Sequence, residues 1–147
     1  IKVTLIGNGK DLLRLNNYIN DNHIKNVIMT GELNWTTIIK YYKDTDIFFV
    51  QIGKEFTTAL PSKIFEYLAT GKALILAAPI GPSTELASIF EGIHVIEPEN
   101  STILREKILS LLSSKNVTYP NNIKIVKEKY LREDQAILFS KTVKNTN

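Results

Sequence analysis

The feature that most constrains the fold is the alternation of short, continuous apolar runs with longer amphipathic stretches. Each apolar run has the length of a strand, and each longer stretch repeats its apolar side chains at helical spacing. The pattern predicts strands at residues 3–6, 27–30, 46–50, 73–77 and 93–96. It predicts helices at about residues 11–19, 34–43, 61–69, 83–90, 101–112 and 123–143, with Asn34 and Ser101 as the N-caps of the second and fifth helices.

The apolar runs are unbroken by polar residues, which is typical of strands buried on both faces of a sheet. Regular alternation of such strands with helices indicates a parallel sheet that helices cover on both sides. The predicted fold is therefore α/β, a doubly wound, Rossmann-like domain. A length of 147 residues with 44% hydrophobic residues suits one domain with its own core, spanning residues 1–147.

Composition excludes several classes of function. The chain has no Cys, which removes disulfides, thiolate chemistry and Cys-based zinc sites and fits a cytoplasmic protein. Its two His residues have no carboxylates clustered near them in sequence, so no metal site is predicted. A net charge of +3, spread along the chain, argues against a nucleic-acid partner but is compatible with contact with an anionic membrane surface. The first residues, which lack Met and open on a strand, favour a piece of a longer protein.

The loop Gly7-Asn8-Gly9 follows the first predicted strand, where open α/β sheets bind ligands. It supplies two of the three glycines of a dinucleotide-binding fingerprint, but Leu12 stands where the third is required. Binding of NAD is therefore not predicted. Two interpretations remain open: a tight turn that needs glycine, or glycines that let a ligand approach the backbone.

The loop at residues 51–60 is long for a strand-to-helix connection and leads into Leu60-Pro61-Ser62-Lys63. Pro61 is typical of a helix start. The first N–H groups of a helix lack intrahelical acceptors, and the helix dipole places partial positive charge there. With the Ser62 hydroxyl and the Lys63 ammonium, this helix start is a candidate cradle for a diphosphate.

Glu66 lies four residues after Ser62, on the same face of the predicted helix. A carboxylate one turn beyond a diphosphate can accept hydrogen bonds from both hydroxyls of a ribose. Spacing alone leaves an alternative, an exposed helical Glu paired with Lys63. Two other polar residues have structural interpretations: Ser83 as a helix cap, with a ligand contact as the alternative, and His94 as a packed residue of a strand.

Residues 61–76, which contain the run Pro-Ser-Lys-Ile-Phe-Glu-Tyr, closely resemble the signature of group 1 (family 4) glycosyltransferases. Those enzymes adopt the two-domain GT-B fold. Residues 3–9, 26–31 and 42–49 are similar to other segments of the same family, so the resemblance covers nearly the whole chain. It implies that this chain is the C-terminal, nucleotide-sugar-binding domain of such an enzyme.

The resemblance also implies roles for individual residues. Glu66 matches the glutamate that holds the donor ribose. Ser62 and Lys63, which follow Leu60 and Pro61, match the helix start beside the donor diphosphate. Such enzymes transfer the sugar with retention of configuration and use neither a bound metal nor another cofactor.

The other implied donor-binding residues are glycines and their neighbours. Gly7 and Gly9 match the family's Gly-x-Gly loop, and Gly31 and Glu32 lie where its base-binding loop lies. The chain departs from the family at Thr58, where a first glutamate often precedes the second by eight positions. The catalytic residue is not assigned within this chain, because the resemblance places the usual catalytic His in an N-terminal domain outside it.

The resulting hypothesis is a transferase that uses a nucleotide sugar, with UDP as the expected nucleotide, and a glycan or lipid-linked acceptor. Its expected location is the cytoplasm, at the inner face of the membrane, in polysaccharide biosynthesis. Two alternatives stay open: a UDP-sugar 2-epimerase of the same architecture, and a non-catalytic partner subunit that kept the fold, which Thr58 favours.

Overall fold

The computed structural model describes residues 1–114, 117–131 and 133 of the chain. These residues form two compact units: the first is Ile1–Asp44, and the second begins at Thr45. Each unit has its own parallel sheet, so the five predicted strands are divided between two sheets.

The first unit is a β–α–β–α segment. Its elements are β1 (Val3–Ile6), α1 (Leu12–Asp21), β2 (Val27–Gly31) and α2 (Trp35–Asp44). The two strands pair in parallel, and their register shifts after Leu5 so that Ile6 lies opposite Gly31. Helix α2 begins after Asn34, whose side-chain oxygen accepts a hydrogen bond from the Thr37 N–H at 2.9 Å, which confirms the predicted cap.

The strands of the first unit are less buried than the sequence pattern predicts. No side chain in Ile1–Asp44 is fully buried, and in β1 Val3, Leu5 and Ile6 are exposed. The prediction of two-sided burial is therefore wrong for β1. Apolar continuity predicts burial on both faces, but it does not show how many neighbours a strand has, and β1 lies in a two-stranded sheet.

The second unit contains the buried core. Its elements are β3 (Ile47–Gln51), α3 (Lys63–Leu68), β4 (Ala73–Ala77), α4 (Pro82–Glu85) with a turn of 3-10 helix at Leu86–Ser88, β5 (Ile93–Ile96), α5 (Ser101–Ser113) and α6 (Pro120–Lys129). The strands are parallel in the order β3-β4-β5. All five residues of the central strand β4 are buried, as the sequence predicts.

Helices cover both faces of this sheet. On one face, Phe48 lies beside Leu74 in the register and its ring stacks on Tyr67 of α3, with centroids 4.3 Å apart. On the other face, Ile75 and Ala77 pack with apolar residues of α5, namely Leu104, Ile108 and Leu111. Successive residues of a strand point to opposite faces, so α3 and α5 lie on opposite sides. The predicted α/β, Rossmann-like fold is confirmed.

The starts of two helices and the N-cap of a third differ from the predictions. Helix α3 begins at Lys63, two residues later than predicted. The N-cap of α5 is Asn100, whose side chain accepts a hydrogen bond from the Ile103 N–H at 3.0 Å, and Ser101 is the first helical residue instead of the cap. Helix α6 begins at Pro120, three residues earlier than predicted. Helix α6 ends at Lys129, and neither Tyr130 nor Leu131 is helical, so the predicted unbroken helix to residue 143 is wrong. The rest of that predicted helix lies largely outside the described residues.

Helix α6 and the residue before it hold together the turns that precede β4 and β5. The Tyr119 N–H donates to the Gly71 carbonyl at 2.6 Å. The fully buried Asn122 donates to the Glu91 carbonyl at 2.7 Å and accepts from the Glu91 N–H at 3.0 Å. The ring of Tyr119 lies over Gly92, and a Cβ placed on Gly92 would be 2.2 Å from a ring carbon of Tyr119. Gly92 also has a φ of +68°. The amino ends of β4 and β5 are thereby fixed.

His94 of β5 predicts a dependence of stability on pH. Its Nε2 is buried with no hydrogen-bond partner among the described residues. Burial, and then the charge of Lys107, lower the pKa of His94 below its usual 6.5. Just below pH 6.5, His94 therefore binds more protons in the unfolded chain than in the folded chain. The free energy of unfolding consequently falls as the pH falls.

We expect the urea midpoint to decrease between about pH 7.5 and about pH 5.5, and the decrease to be smaller in His94→Leu. The exposed His23 gives the control, because His23→Ala should keep the full decrease. An equal decrease in His94→Leu and in the unmodified chain would show that another group is responsible.

Candidate functional site

In the first unit, the glycine loop follows the carboxyl end of β1. Gly7 has a φ of +141° and Gly31 a φ of +70°, conformations that other residues adopt at a cost. The Gly7 N–H donates to the Gly31 carbonyl at 2.8 Å, which brings these two predicted residues together. Glu32 follows Gly31 and is exposed. The requirement for glycine at Gly7 and Gly31 is therefore conformational.

Gly9 differs from these two glycines. Its φ lies outside the left-handed range, and a Cβ placed on it would meet nothing within 4 Å. Neither backbone conformation nor packing in the chain requires glycine at this position. The tight-turn interpretation of the loop accounts for Gly7, whereas open space for a ligand remains the interpretation for Gly9.

In the second unit, the long connection between β3 and α3 is compact. The Ile52 N–H donates to the Ala77 carbonyl at 2.8 Å and extends the pairing of β3 with β4. Two successive turns follow, in which the Phe56 N–H donates to Gly53 at 3.0 Å and the Ala59 N–H donates to Phe56 at 3.2 Å. These bonds give the loop a defined path to the start of α3.

The same loop is bound to the loop that follows β4. A Cβ on Gly81 would lie 2.1 Å from the Thr57 carbonyl oxygen, so the two backbones are in direct contact. The Ser83 hydroxyl, in a residue 2% exposed, donates to the Ala59 carbonyl. The N-cap of α4 is Gly81, and the hydroxyl of Thr84, three residues later, accepts from the Gly81 N–H at 3.0 Å. The prediction of a cap for Ser83 is therefore wrong, because its hydroxyl is buried between the loops. A ligand contact through the loop at residues 81–83 stays a prediction.

The start of α3 keeps only part of the predicted set of unsatisfied N–H groups. The Ile64 and Phe65 N–H groups donate to the carbonyls of Pro61 and Ser62, both at 3.1 Å. Among the described residues, the N–H groups of Ser62 and Lys63 have no backbone acceptor. Both side chains are exposed. Two N–H groups, a hydroxyl and an ammonium are thus available to a ligand at this point.

Glu66 is half-buried and lies one turn after Ser62 on α3. Ile64 and Leu68, four residues apart, form the fully buried face of this helix and fix its orientation on the sheet. Leu60, before the helix, is 46% exposed. Thr58 is exposed. The carboxylate of Glu55 turns back over Gly53, and a Cβ placed on Gly53 would lie 2.7 Å from its Oε2.

The acidic residues near the strand ends do not form a metal site. Glu97 and Glu99 line a cavity of about 150 Å³ beside the start of α5, with Asn100. Glu99 pairs with Lys54, at 3.3 Å between Oε2 and Nζ. Within residues 1–114, 117–131 and 133, no three His, Asp or Glu side chains are placed to hold a metal ion. Transfer without a metal stays a prediction.

Parallel strands, with helices on both faces of the larger sheet, define a Rossmann-like α/β protein. The family model of the glycosyl transferases group 1 matches residues 1–130, and the chain belongs to this family. Searches of curated proteins and of solved structures each found no match. Membership implies a glycosyltransferase with a nucleotide-sugar donor and an acceptor as substrates. Within the described residues, no helix is long and apolar enough to cross a membrane.

Proposed function

We propose that the chain is the C-terminal, donor-binding domain of a family 4, GT-B glycosyltransferase that takes the sugar from a UDP-sugar with retention of configuration. The observation that carries this proposal is the family match over residues 1–130, which includes the run at residues 61–67. That run follows a parallel strand at its carboxyl end, where α/β sheets bind ligands. The acceptor is a glycan or a lipid-linked glycan of polysaccharide biosynthesis, and the location is the cytoplasm beside the membrane.

The proposed roles follow the groups that the second unit exposes. Ser62 and Lys63 contact the diphosphate through two N–H groups without backbone acceptors, the hydroxyl and the ammonium. Glu66, one turn further, accepts hydrogen bonds from the ribose hydroxyls. Leu60 and Pro61 line the approach to this helix start.

In the first unit, the loop that contains Gly7 and Gly9 is proposed to contact the donor through its backbone, and Gly31 and Glu32 are proposed to lie beside the base. The catalytic base and the acceptor site are proposed to belong to an N-terminal domain of the same protein. The chain by itself is therefore expected to bind the donor without turnover, and no metal or cofactor enters the proposal.

Gly9→Ala tests the backbone contact. Alanine fits the local conformation without a clash, so the melting temperature should stay the same or rise slightly, because Gly→Ala reduces the entropy of the unfolded chain. Affinity for UDP should fall about fivefold or more, since the methyl group occupies the space left for the ligand. Calorimetry and thermal melting measure the two effects.

Gly7→Ala is the contrasting variant, because its φ of +141° makes alanine strained. It should lower the melting temperature. Unchanged UDP affinity in a folded Gly9→Ala chain would remove Gly9 from the donor site.

The activity is tested with the full-length gene product, incubated with a panel of UDP-sugars and lipid-linked acceptors. The expected product is a new glycosidic bond of the same anomeric configuration as the donor, identified by NMR. An inverted product would contradict the proposed mechanism. Conversion of a UDP-sugar to its C2 epimer without an acceptor would instead identify the epimerase.

One observation favours a second candidate function. Thr58, in place of the family's first glutamate, removes a carboxylate from the proposed sugar site, as a non-catalytic partner subunit could tolerate. In that case the full-length protein would bind UDP, and no acceptor would receive a sugar unless a second glycosyltransferase were present.

A further inference from the structure

The loops that follow β3 and β4 are held together by one buried side chain and one glycine. The Ser83 hydroxyl donates to the Ala59 carbonyl, and Gly81 touches the Thr57 carbonyl. Ser83 is 2% exposed, so water does not replace this bond. Ala59 lies only three residues before Ser62, the first of the two residues whose N–H groups have no backbone acceptor.

We propose that Ser83 is a positioning residue for donor binding, and that it sets the place of the Ser62 and Lys63 N–H groups through the Ala59 carbonyl. The inference rests on the proposed function, because it assumes that these N–H groups bind the diphosphate. Ser83 does not touch the ligand, since its hydroxyl is buried between the two loops.

The local geometry explains why such a support is needed. Helix α3 has six residues, and its fully buried anchors, Ile64 and Leu68, lie after the proposed diphosphate contacts. On the other side of these contacts, residues 53–58 are mostly exposed. The hydrogen bond at Ala59 fixes the exposed segment immediately before the helix, and a ligand-binding group is effective only when its supporting groups hold it in place.

The test compares UDP with uridine, which lacks the diphosphate, in the 147-residue chain and in Ser83→Ala. Affinity for UDP should fall about five- to tenfold, because ordering of the loosened segment then opposes diphosphate binding, while affinity for uridine is unchanged. Calorimetry measures UDP binding, and ligand-observed NMR measures the weaker uridine binding. A general loss of structure would lower both affinities together.

Ser88→Ala is the matched control. The Ser88 hydroxyl also donates to a carbonyl, that of Glu85 at 2.7 Å, but Ser88 is exposed and this bond lies within three residues of the same helical segment. This variant should bind both ligands as the unmodified chain does. If Ser83→Ala does not fold, Ser83→Cys, which keeps a similar size and a weaker donor, is measured with the same expected pattern.

Unchanged UDP affinity in a folded Ser83 variant would overturn the inference, and so would equal losses for UDP and uridine. Neither result would affect the proposed function, which fails separately if the unmodified chain does not bind UDP.

Discussion

Asn122→Ala should lower the free energy of unfolding of the second unit by about 2–4 kcal/mol, because it leaves two backbone groups of Glu91 without their partner. Asn122 is fully buried, so its side chain supplies bonds that solvent does not readily replace. The lost bonds join α6 to the turn before β5. The melting temperature should fall by on the order of 10 °C.

Circular dichroism is the suitable measurement, because the single Trp, Trp35, lies in the first unit and Asn122 in the second. Asn121→Ala is the matched control, since Asn121 is the neighbouring residue of the same helix and is exposed. That variant should melt within about 2 °C of the unmodified chain. Equal melting temperatures for the two variants would show that Asn122 does not hold the turn.

Glu66→Ala should cause a large loss of donor affinity in a chain that still folds. Hydrogen bonds to a charged group contribute about 1.5–3 kcal/mol, so UDP affinity should fall about 10- to 100-fold. Glu66→Gln keeps an amide oxygen as acceptor and loses the charge, so its UDP affinity should lie between those of Glu66→Ala and the unmodified chain. Calorimetry with UDP measures each affinity, and thermal melting verifies that each variant is folded.

Glu55→Ala is the control for this substitution. Glu55 is an exposed carboxylate of the preceding loop, out of register with the family's first glutamate. The Glu55→Ala variant should bind UDP with the affinity of the unmodified chain. If Glu66→Ala also kept its affinity, the ribose role of Glu66 would be wrong, and the alternative of an ordinary helical glutamate would stand.

The strands and the fold class could be predicted because they depend on apolar continuity, which is a local property. The pattern located β4 and β5 correctly and placed β3 one residue early. It did not show that the strands form two sheets, since pairing depends on contacts between segments distant in sequence. The burial of β1 was overestimated for the same reason.

The helix starts show where local signals compete. Pro61 and Pro120 are both typical of a first helical turn. Only Pro120 occupies it, because α3 begins two residues after Pro61. Ser101 and Asn100 are both good caps, and the structure uses Asn100.

In the candidate site, the sequence predicted the segment at residues 60–66 and the glycine loop but not the contacts that support this segment. The buried bond of Ser83 to Ala59 and the contact of Gly81 with Thr57 each join residues 24 positions apart. No spacing rule connects such residues. The nearest available signal was the Gly-Pro pair at residues 81–82, which marks a turn where backbones approach closely.

The central claim is that this chain binds the nucleotide part of a UDP-sugar, and calorimetric titration of the folded 147-residue chain with UDP, ADP and GDP tests it most directly. We expect saturable binding of UDP and weaker binding of ADP and GDP. Absence of any binding at millimolar UDP, with circular dichroism showing a folded chain, would contradict the claim, and tighter binding of ADP or GDP would contradict the choice of UDP.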